Sequence, residues 1–390
     1  MKVRELTERY KDKVIALRRE FHQNPELSWQ EFKTAKRVEE ELKKAGIETI
    51  RVTNTCVIGQ IKGKAGNKVV ALRADMDALP VQETNKLSYA SQNDGVMHAC
   101  GHDGHTAMLL VAAQILGELQ DQFSGTVKFL FQPAEESIEG AKKMVEEGVL
   151  EGVDAVLAIH IWSEMPAGKV SLEAGPRFAA GDRFKIIIKG KGSHGAMPHL
   201  GTDAIVAASA IVMNLQTIVS REIDPQEAAV ISIGKIKGGG NFNVICDEVV
   251  LEGTARCFNP LIQKEFPRQM ERIIKNTATS FNTQAEFDYI TGAPPCINDE
   301  FISKIARESL IKLYGDKIII PYQKTTATED FSYFLQKVPG IIAFLGTFNK
   351  EKGIIYPHHH NQFNIDEDVL PIGTALYAQF ALDFLNGAKD

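Results

Sequence analysis

Nine consecutive residues, Met97-His98-Ala99-Cys100-Gly101-His102-Asp103-Gly104-His105, hold three imidazoles, a thiol and a carboxylate. These are the side chains that a borderline-soft cation such as zinc or manganese prefers. Packing does not account for so dense a cluster, and its two glycines keep the backbone open. The Cys-x-His spacing of Cys100 and His102 sets that pair apart, whereas His98 and His105 read equally well as packing or capping residues. More donors follow at the ends of apolar runs: Asp75 and Asp77, the pair Glu135-Glu136, His160, and the tract His358-His359-His360. Two adjacent carboxylates are costly to bury without cations. Neighbours at a strand end point different ways, so one can bind a metal while the other faces a water.

Cys100, His102, Glu136, His160 and one histidine of 358–360 offer about five donors, more than one closed tetrahedral site needs. Two metals with open positions fit better, and such a pair suits hydrolysis of a planar acyl group. Glu135 would then accept the proton of the attacking water and pass it to the leaving amine. A donor from elsewhere must hold the oxyanion.

The elements that carry these groups are legible in the pattern of apolar residues. A helix is expected over Val3–His22 and, after Asn24-Pro25, another over Trp29–Ala45, with Ser28 and Glu31 spaced as a capping box. Strands follow at Ile47–Val52, Cys56–Ile61 and Val69–Leu72, then the apolar helix Thr106–Leu119 and strands Thr126–Phe131 and Val153–His160. Acidic residues just past buried strands lie where open α/β sheets place ligands. From Gly181 the pattern changes. Strand Phe184–Ile188, an apolar helix from Thr202, strands Ala229–Ile236 and Glu248–Phe258, a helix to Phe281 and strand Ala285–Ile290 spell β-α-β-β-α-β, a ferredoxin-like unit. The α/β pattern then resumes with helix Asp299–Tyr314, strand Lys317–Pro321, a short helix capped by Thr328, strand Gly340–Gly346 and a closing helix from Asp366. The expected fold is therefore α/β with two domains. A mixed-sheet catalytic domain (1–181 and 292–390) carries an inserted ferredoxin-like α+β domain (182–291).

A chain of 390 residues with 44% hydrophobic and 24% charged residues is long enough for two cores and ordinary in composition. A net charge of −6 and the lack of a basic run argue against nucleic acid or an anionic membrane surface. No apolar signal segment opens the chain, and the apolar stretch Ala204–Val219 reads as a buried helix rather than a span. Five scattered cysteines make no disulfide framework, and a reducing cytoplasm is the expected location.

Several motifs, in order, resemble the M20 metallopeptidase/amidohydrolase family, in its branch of N-acyl-amino-acid amidohydrolases, which includes hippurate hydrolases, auxin-conjugate hydrolases and microbial carboxypeptidases. They are Arg18-Arg19-x-x-His22-x-x-Pro25-Glu26-Leu27, ALRADMDALP (71–80), MHACGHDGHTAML (97–109), FQPAEE (131–136), IHIW (159–162), GSHGAMPH (192–199), TEDFSYF (328–334) and HHNQFNIDE (359–367). The resemblance implies Cys100, His102, Glu136, His160 and His359 as ligands of two divalent metals, zinc first, with manganese, cobalt or nickel as alternatives. His359 is chosen because it lies four residues before Phe363. The same resemblance implies Glu135 as general base, Asp75 as support of the metal centre, and a smaller lid domain that forms a homodimer or homotetramer. His194 matches a lid histidine that completes the oxyanion site, and Asn243 and Arg256 match substrate-contacting lid positions.

One departure stands out: the wider family has a histidine ligand where this chain has Arg73. The implied function is metal-dependent hydrolysis of N-acyl-L-amino acids. Release of C-terminal residues from short or N-blocked peptides is the alternative within the family. Outside it stand a thiol hydrolase with Cys100 as nucleophile and a non-catalytic, metal-stabilised dimeric binding module.

Overall fold

The computed structural model describes residues 2–387. The chain separates into two compact units. The first comprises Met1–Gly175, Ile297–Gln323 and Asp330–Asp390, the second Pro176–Cys296 and Lys324–Glu329.

The first unit is a mixed α/β unit built on a seven-stranded sheet. In spatial order its strands are Glu48–Arg51, Val57–Lys62, Ser124–Gln132, Lys64–Asp75, Ala155–Pro166, Gly340–Phe348 and Val170–Ser171. The four strands from Ser124–Gln132 to Gly340–Phe348 run parallel, and the outer ones pair antiparallel. Their apolar runs are buried on both faces, as parallel strands covered by helices require. Helices His102–Glu118 and Leu370–Asn386 are apolar almost all round, and both lie in the core. Register matters for function: Asp75 pairs with Gln132, and His160 with Phe344. Asp75 and the turn that carries Glu135 and Glu136 thus leave the same, carboxyl, end of the parallel strands.

The second unit has its own apolar core. Strands Gln284–Ala293, Gly181–Lys189, Glu248–Cys257 and Ala229–Gly238 form a wholly antiparallel sheet in that order. With helices Ala204–Thr217 and Pro260–Ser280 the connectivity is β-α-β-β-α-β.

Several elements differ from expectation. The first helix is broken at Tyr10 into Lys2–Arg9 and Lys11–Gln23. The next helix starts only at Phe32, and Ser28 and Glu31 do not cap it. Glu26 does, accepting from the amides of Lys33 (3.2 Å) and Thr34 (2.9 Å). The helix expected from Thr106 begins at His102, so His102, Asp103 and His105 lie on its first turn. Gly101, at φ +94°, makes that early start possible. Residues 317–321 form no strand. The opposing strand Val170–Ser171 is two residues long and already pairs with Gly340–Phe348, leaving a single bridge at Ile319 after the 3-10 turn Asp316–Ile318. Thr328 does not cap the short helix Ser332–Leu335; its hydroxyl accepts from Arg256.

The helical stretch Ala204–Glu222 is long and apolar enough to cross a membrane by composition. It is buried only along Ala204, Ala207, Ala208, Ile211, Leu215 and Ile218, and it exposes Ile205, Val206 and Met213. The expectation of a buried helix therefore holds for one face only.

Candidate metal centre

At the carboxyl end of the parallel strands, three groups of donor atoms interlock. Cys100, His102 and His160 form one, Cys100, Glu136 and His359 a second, and His102, Glu135 and Glu136 a third, with the donor atoms in each group within 4.8 Å of one another. Measured pairwise, Cys100 Sγ is 3.8 Å from His160 Nε2, and Glu136 Oε1 is 3.9 Å from His102 Nε2 and 3.6 Å from His359 Nε2. All five sequence-predicted ligands thus converge, and Glu135 lies beside them.

The remaining hydrogen bonds decide which nitrogen each imidazole presents. His102 donates from Nδ1 to the Asp77 carbonyl (2.9 Å), with Asp77 Oδ1 at 3.2 Å. His160 donates from Nδ1 to the Ile161 carbonyl (2.6 Å). Each then offers Nε2, the arrangement in which an outer partner orients a ligating histidine. His105 is excluded because both its nitrogens are used: Nδ1 on Asp75 Oδ1 (2.6 Å), Nε2 as acceptor of the Ile161 amide (2.8 Å). In the histidine tract, His358 accepts the Ser163 amide and His360 the Gln362 amide. Only His359 reaches Glu136. Its backbone is left-handed (φ +64°), a costly conformation for a residue with a Cβ and one that clusters at functional sites.

The electrostatics suit a cation. Burial would lower His102, but Asp75 and Asp77 outweigh it and hold the imidazole well above its usual range. Burial and the neighbouring Glu136 push the Cys100 thiol well up. Glu136 itself is pushed up to about 7 by burial, with Asp77 and Asp75 adding to it against His102. The metal-free centre therefore retains protons that a metal would displace. Moreover, His102 Nε2 and Glu136 Oε1 are buried without a hydrogen-bond partner, a costly state that a shared cation relieves. The residues present fit a divalent-metal centre.

The two aspartates divide the support. Asp77 takes His102, the Glu136 amide (3.0 Å) and the Ser28 hydroxyl (2.7 Å). Asp75 takes His105 and Arg73 Nη1 (2.7 Å), and its Oδ2 lies 3.7 Å from His102 Nε2. The sequence marks Asp77 as a donor past a buried strand without distinguishing this supporting part. Its position two residues past Asp75, on the same side of an extended strand end, was the available signal. Arg73 is wholly buried, donating also to Gln132 (2.8 Å) and Asp330 (3.2 Å).

His194, Asn243 and Arg256 belong to the second unit. His194 is exposed and bridges to Val244, while the Gly195 amide donates to the Asn243 carbonyl (2.7 Å), so the first two share one loop pair. Arg256 lies apart from them on strand Glu248–Cys257, donating to the Thr326 carbonyl (2.9 Å) and Thr328 Oγ1 (2.8 Å).

Comparison with known proteins gives this geometry a context. The profile of peptidase family M20/M25/M40 matches residues 71–383. The chain is 43% identical to an N-acetyl-L-cysteine deacetylase of Bacillus subtilis, over 92% of this chain and 84% of that protein. It is 41% identical to the thermostable carboxypeptidase 2 of Saccharolobus solfataricus, over 96% of both. The crystal structure of the Bacillus subtilis YXEP protein, described as a dinuclear metal binding peptidase from the M20 family, superposes with a TM-score of 0.87. It shares 36% identity and covers 98% of this chain and all of that one.

Proposed function

This chain belongs to peptidase family M20/M25/M40 and is a metal-dependent hydrolase of linear amide bonds; within that class we propose that it cleaves the acyl group from N-acyl-L-amino acids. The observation that carries the proposal is the convergence of Cys100, His102, Glu136, His160 and His359 around two unpartnered polar atoms. These five residues would hold two divalent cations, zinc by the thiolate's preference. Bound there, the cations would lower the pKa of a water and polarise the scissile carbonyl. Glu135, beside His102 and Glu136 but outside the ligand set, accepts the water's proton and returns it to the leaving amine. Asp77 and the Ile161 carbonyl fix the tautomers of His102 and His160, and Asp75 with Arg73 supplies the charged support behind them. His194 stabilises the oxyanion, and Asn243 and Arg256 contact the substrate, Arg256 at its α-carboxylate.

We propose that the second unit acts as a lid and joins two copies into a homodimer. Supporting this, it exposes Met197, Leu200, Phe242 and Val244 besides the helix face of Ile205, Val206 and Met213, and Ala229–Gly238 is an edge strand. Light scattering checks it: a 43.0 kDa monomer at all concentrations would exclude the dimer. All five cysteines are free and buried, which favours a reducing cytoplasm.

Release of C-terminal residues from peptides is the second reading, favoured by the likeness to the Saccharolobus solfataricus carboxypeptidase. The test is hydrolysis of N-acetyl-methionine, hippurate, a benzyloxycarbonyl-amino acid and a short peptide, by metal-free protein and by protein loaded with zinc, manganese or cobalt. Metal-dependent release of free amino acid from the acylated substrates is expected. Peptide hydrolysis alone favours the carboxypeptidase. Turnover that persists in EDTA points to a thiol hydrolase, although the raised Cys100 thiol opposes one. Silence from fully metal-loaded protein leaves the binding module.

A further inference from the structure

The segment Ser28-Trp29-Gln30-Glu31, which caps no helix, touches the metal centre at two points. Glu31 is fully buried, and its Oε1 accepts from both the Trp29 amide (3.0 Å) and the Ala134 amide (2.9 Å). Both of those residues are left-handed, at φ +64° and +56°. For a residue with a Cβ this conformation costs about 1–2 kcal/mol and persists only where surrounding contacts over-determine it. Ala134 immediately precedes Glu135 and Glu136, so its backbone angles set the direction in which both carboxylates leave the chain. Two residues on, the Glu136 amide is held by Asp77 Oδ2, the same oxygen that takes the Ser28 hydroxyl. The turn is thereby clamped at Ala134 from Glu31 and at Glu136 from the Ser28–Asp77 pair. Backbone N–H bonds to a buried carboxyl contribute about 0.5–1.5 kcal/mol each to the neutral group and more to the ionised one, comparable with the strain of the left-handed residues.

We propose that Glu31, seconded by Ser28, is a positioning residue of the hydrolase: it locks the left-handed turn at Ala134 that aims Glu135 at the water and Glu136 at the metal. This rests on the roles proposed for Glu135 and Glu136. Burial and Asp77 push the Glu31 carboxyl up to about 7, in keeping with a group held in place for its geometry against the preference of its charge.

The holoenzyme carrying Glu31→Ala should lose kcat and metal affinity by about 10–100-fold each, the usual cost of removing a group that orients ligands, with KM changed by less than about threefold. Glu31→Gln, whose amide oxygen still accepts both N–H groups, should stay within about threefold of the wild type. Ala134→Gly added to Glu31→Ala should recover about a third or more of the loss on a logarithmic scale, because glycine adopts the left-handed turn without a clamp. A Glu31 that merely stabilises the fold would lower the melting temperature without these three effects. Metal affinity, measured by competition with a chromogenic chelator, reads the brace even if the wild type is silent on every acyl-amino acid, so failure of the functional reading is separable. Wild-type kcat and affinity in Glu31→Ala, or no recovery with Ala134→Gly, overturns the proposal. If Glu31→Ala does not fold, Ser28→Ala replaces it, with about a threefold or greater loss of affinity expected and none overturning the idea.

Discussion

Arg73 is the sharpest place to perturb this molecule. It is buried, and one guanidinium faces two buried carboxylates, Asp75 at 2.7 Å and Asp330 at 3.2 Å, with Gln132 bonded to both Arg73 and Asp330. Burial would raise Asp75, yet Arg73, with His102 and His105, holds its carboxyl well below the usual range. Arg73→Met keeps much of the volume and removes the charge. Asp75 retains His105, and Asp330 retains Gln132 and the Ala141 amide (2.9 Å), but neither retains this cation. Removing one partner of a buried pair costs about 3–5 kcal/mol, because a charge is left uncompensated. At about 2 °C per kcal/mol for a unit of this size, the melting temperature should fall by about 6–10 °C. The assay is differential scanning calorimetry of metal-free protein, so that metal binding does not mask the loss. Adding Asp330→Asn should recover part of the loss, since one carboxylate then no longer lacks its cation. A fall below about 2 °C, or a double variant no better than the single, would refute this account of Arg73.

Further outcomes are expected. Glu135→Gln should lower kcat by about 10²–10⁴-fold while metal stoichiometry stays at the wild-type value; an unchanged kcat removes Glu135 as base. His194→Ala should lower kcat by about 10²–10³-fold, again with metal retained, if it stabilises the oxyanion. Glu31 titrates at about 7 when folded and near 4.5 when unfolded, so the folded state holds a proton that the unfolded chain loses. Its contribution is fully present below about 4.5 and is lost as pH rises through about 7, roughly 3 kcal/mol in all. The stability of metal-free Glu31→Gln relative to wild type should therefore rise across that window, and a flat difference in denaturant titrations would contradict it. A Cβ on Gly140 would sit 1.7 Å from the Pro133 carbonyl, whereas one on Gly104 would meet the ends of flexible side chains, Ile161 at 2.5 Å, Ile365 at 3.2 Å and Leu370 at 3.4 Å. Gly140→Ala should thus cost about 3 kcal/mol or more and Gly104→Ala about 1 kcal/mol, with the reverse order in thermal melts counting against the packing.

What could be read from the sequence was what local pattern carries. The alternation of apolar strands and helices, the β-α-β-β-α-β order of the middle stretch and the donor-rich strand ends were all visible there. What could not be read depends on distant partners. His102 and His105 are three apart on one helix turn. Only Asp77 and the Ile161 amide, 25 and 56 residues away, make one a ligand candidate and the other a structural link. Ser28 and Glu31 carry the spacing of a capping box, but Asp77 and Ala134 claim both side chains, and Glu26 caps in their place. Residues 317–321 have strand propensity and lack a partner edge long enough to pair with, a tertiary fact that propensity does not contain.

The order in which the chain is made has a consequence for this centre. Strand Gly340–Phe348 completes the parallel sheet beside Ala155–Pro166, while Asp330 closes the Arg73 network and His359 the donor set. All three lie beyond the second unit, which has a core of its own. During synthesis the second unit can therefore fold while the first still lacks one of its parallel strands and one donor of the cluster. Non-local pairing of this kind is slow, so the nascent chain exposes the edge of Ala155–Pro166 until residue 348 has emerged. A half-made chain therefore holds the donors Cys100, His102, Glu136 and His160 without His359.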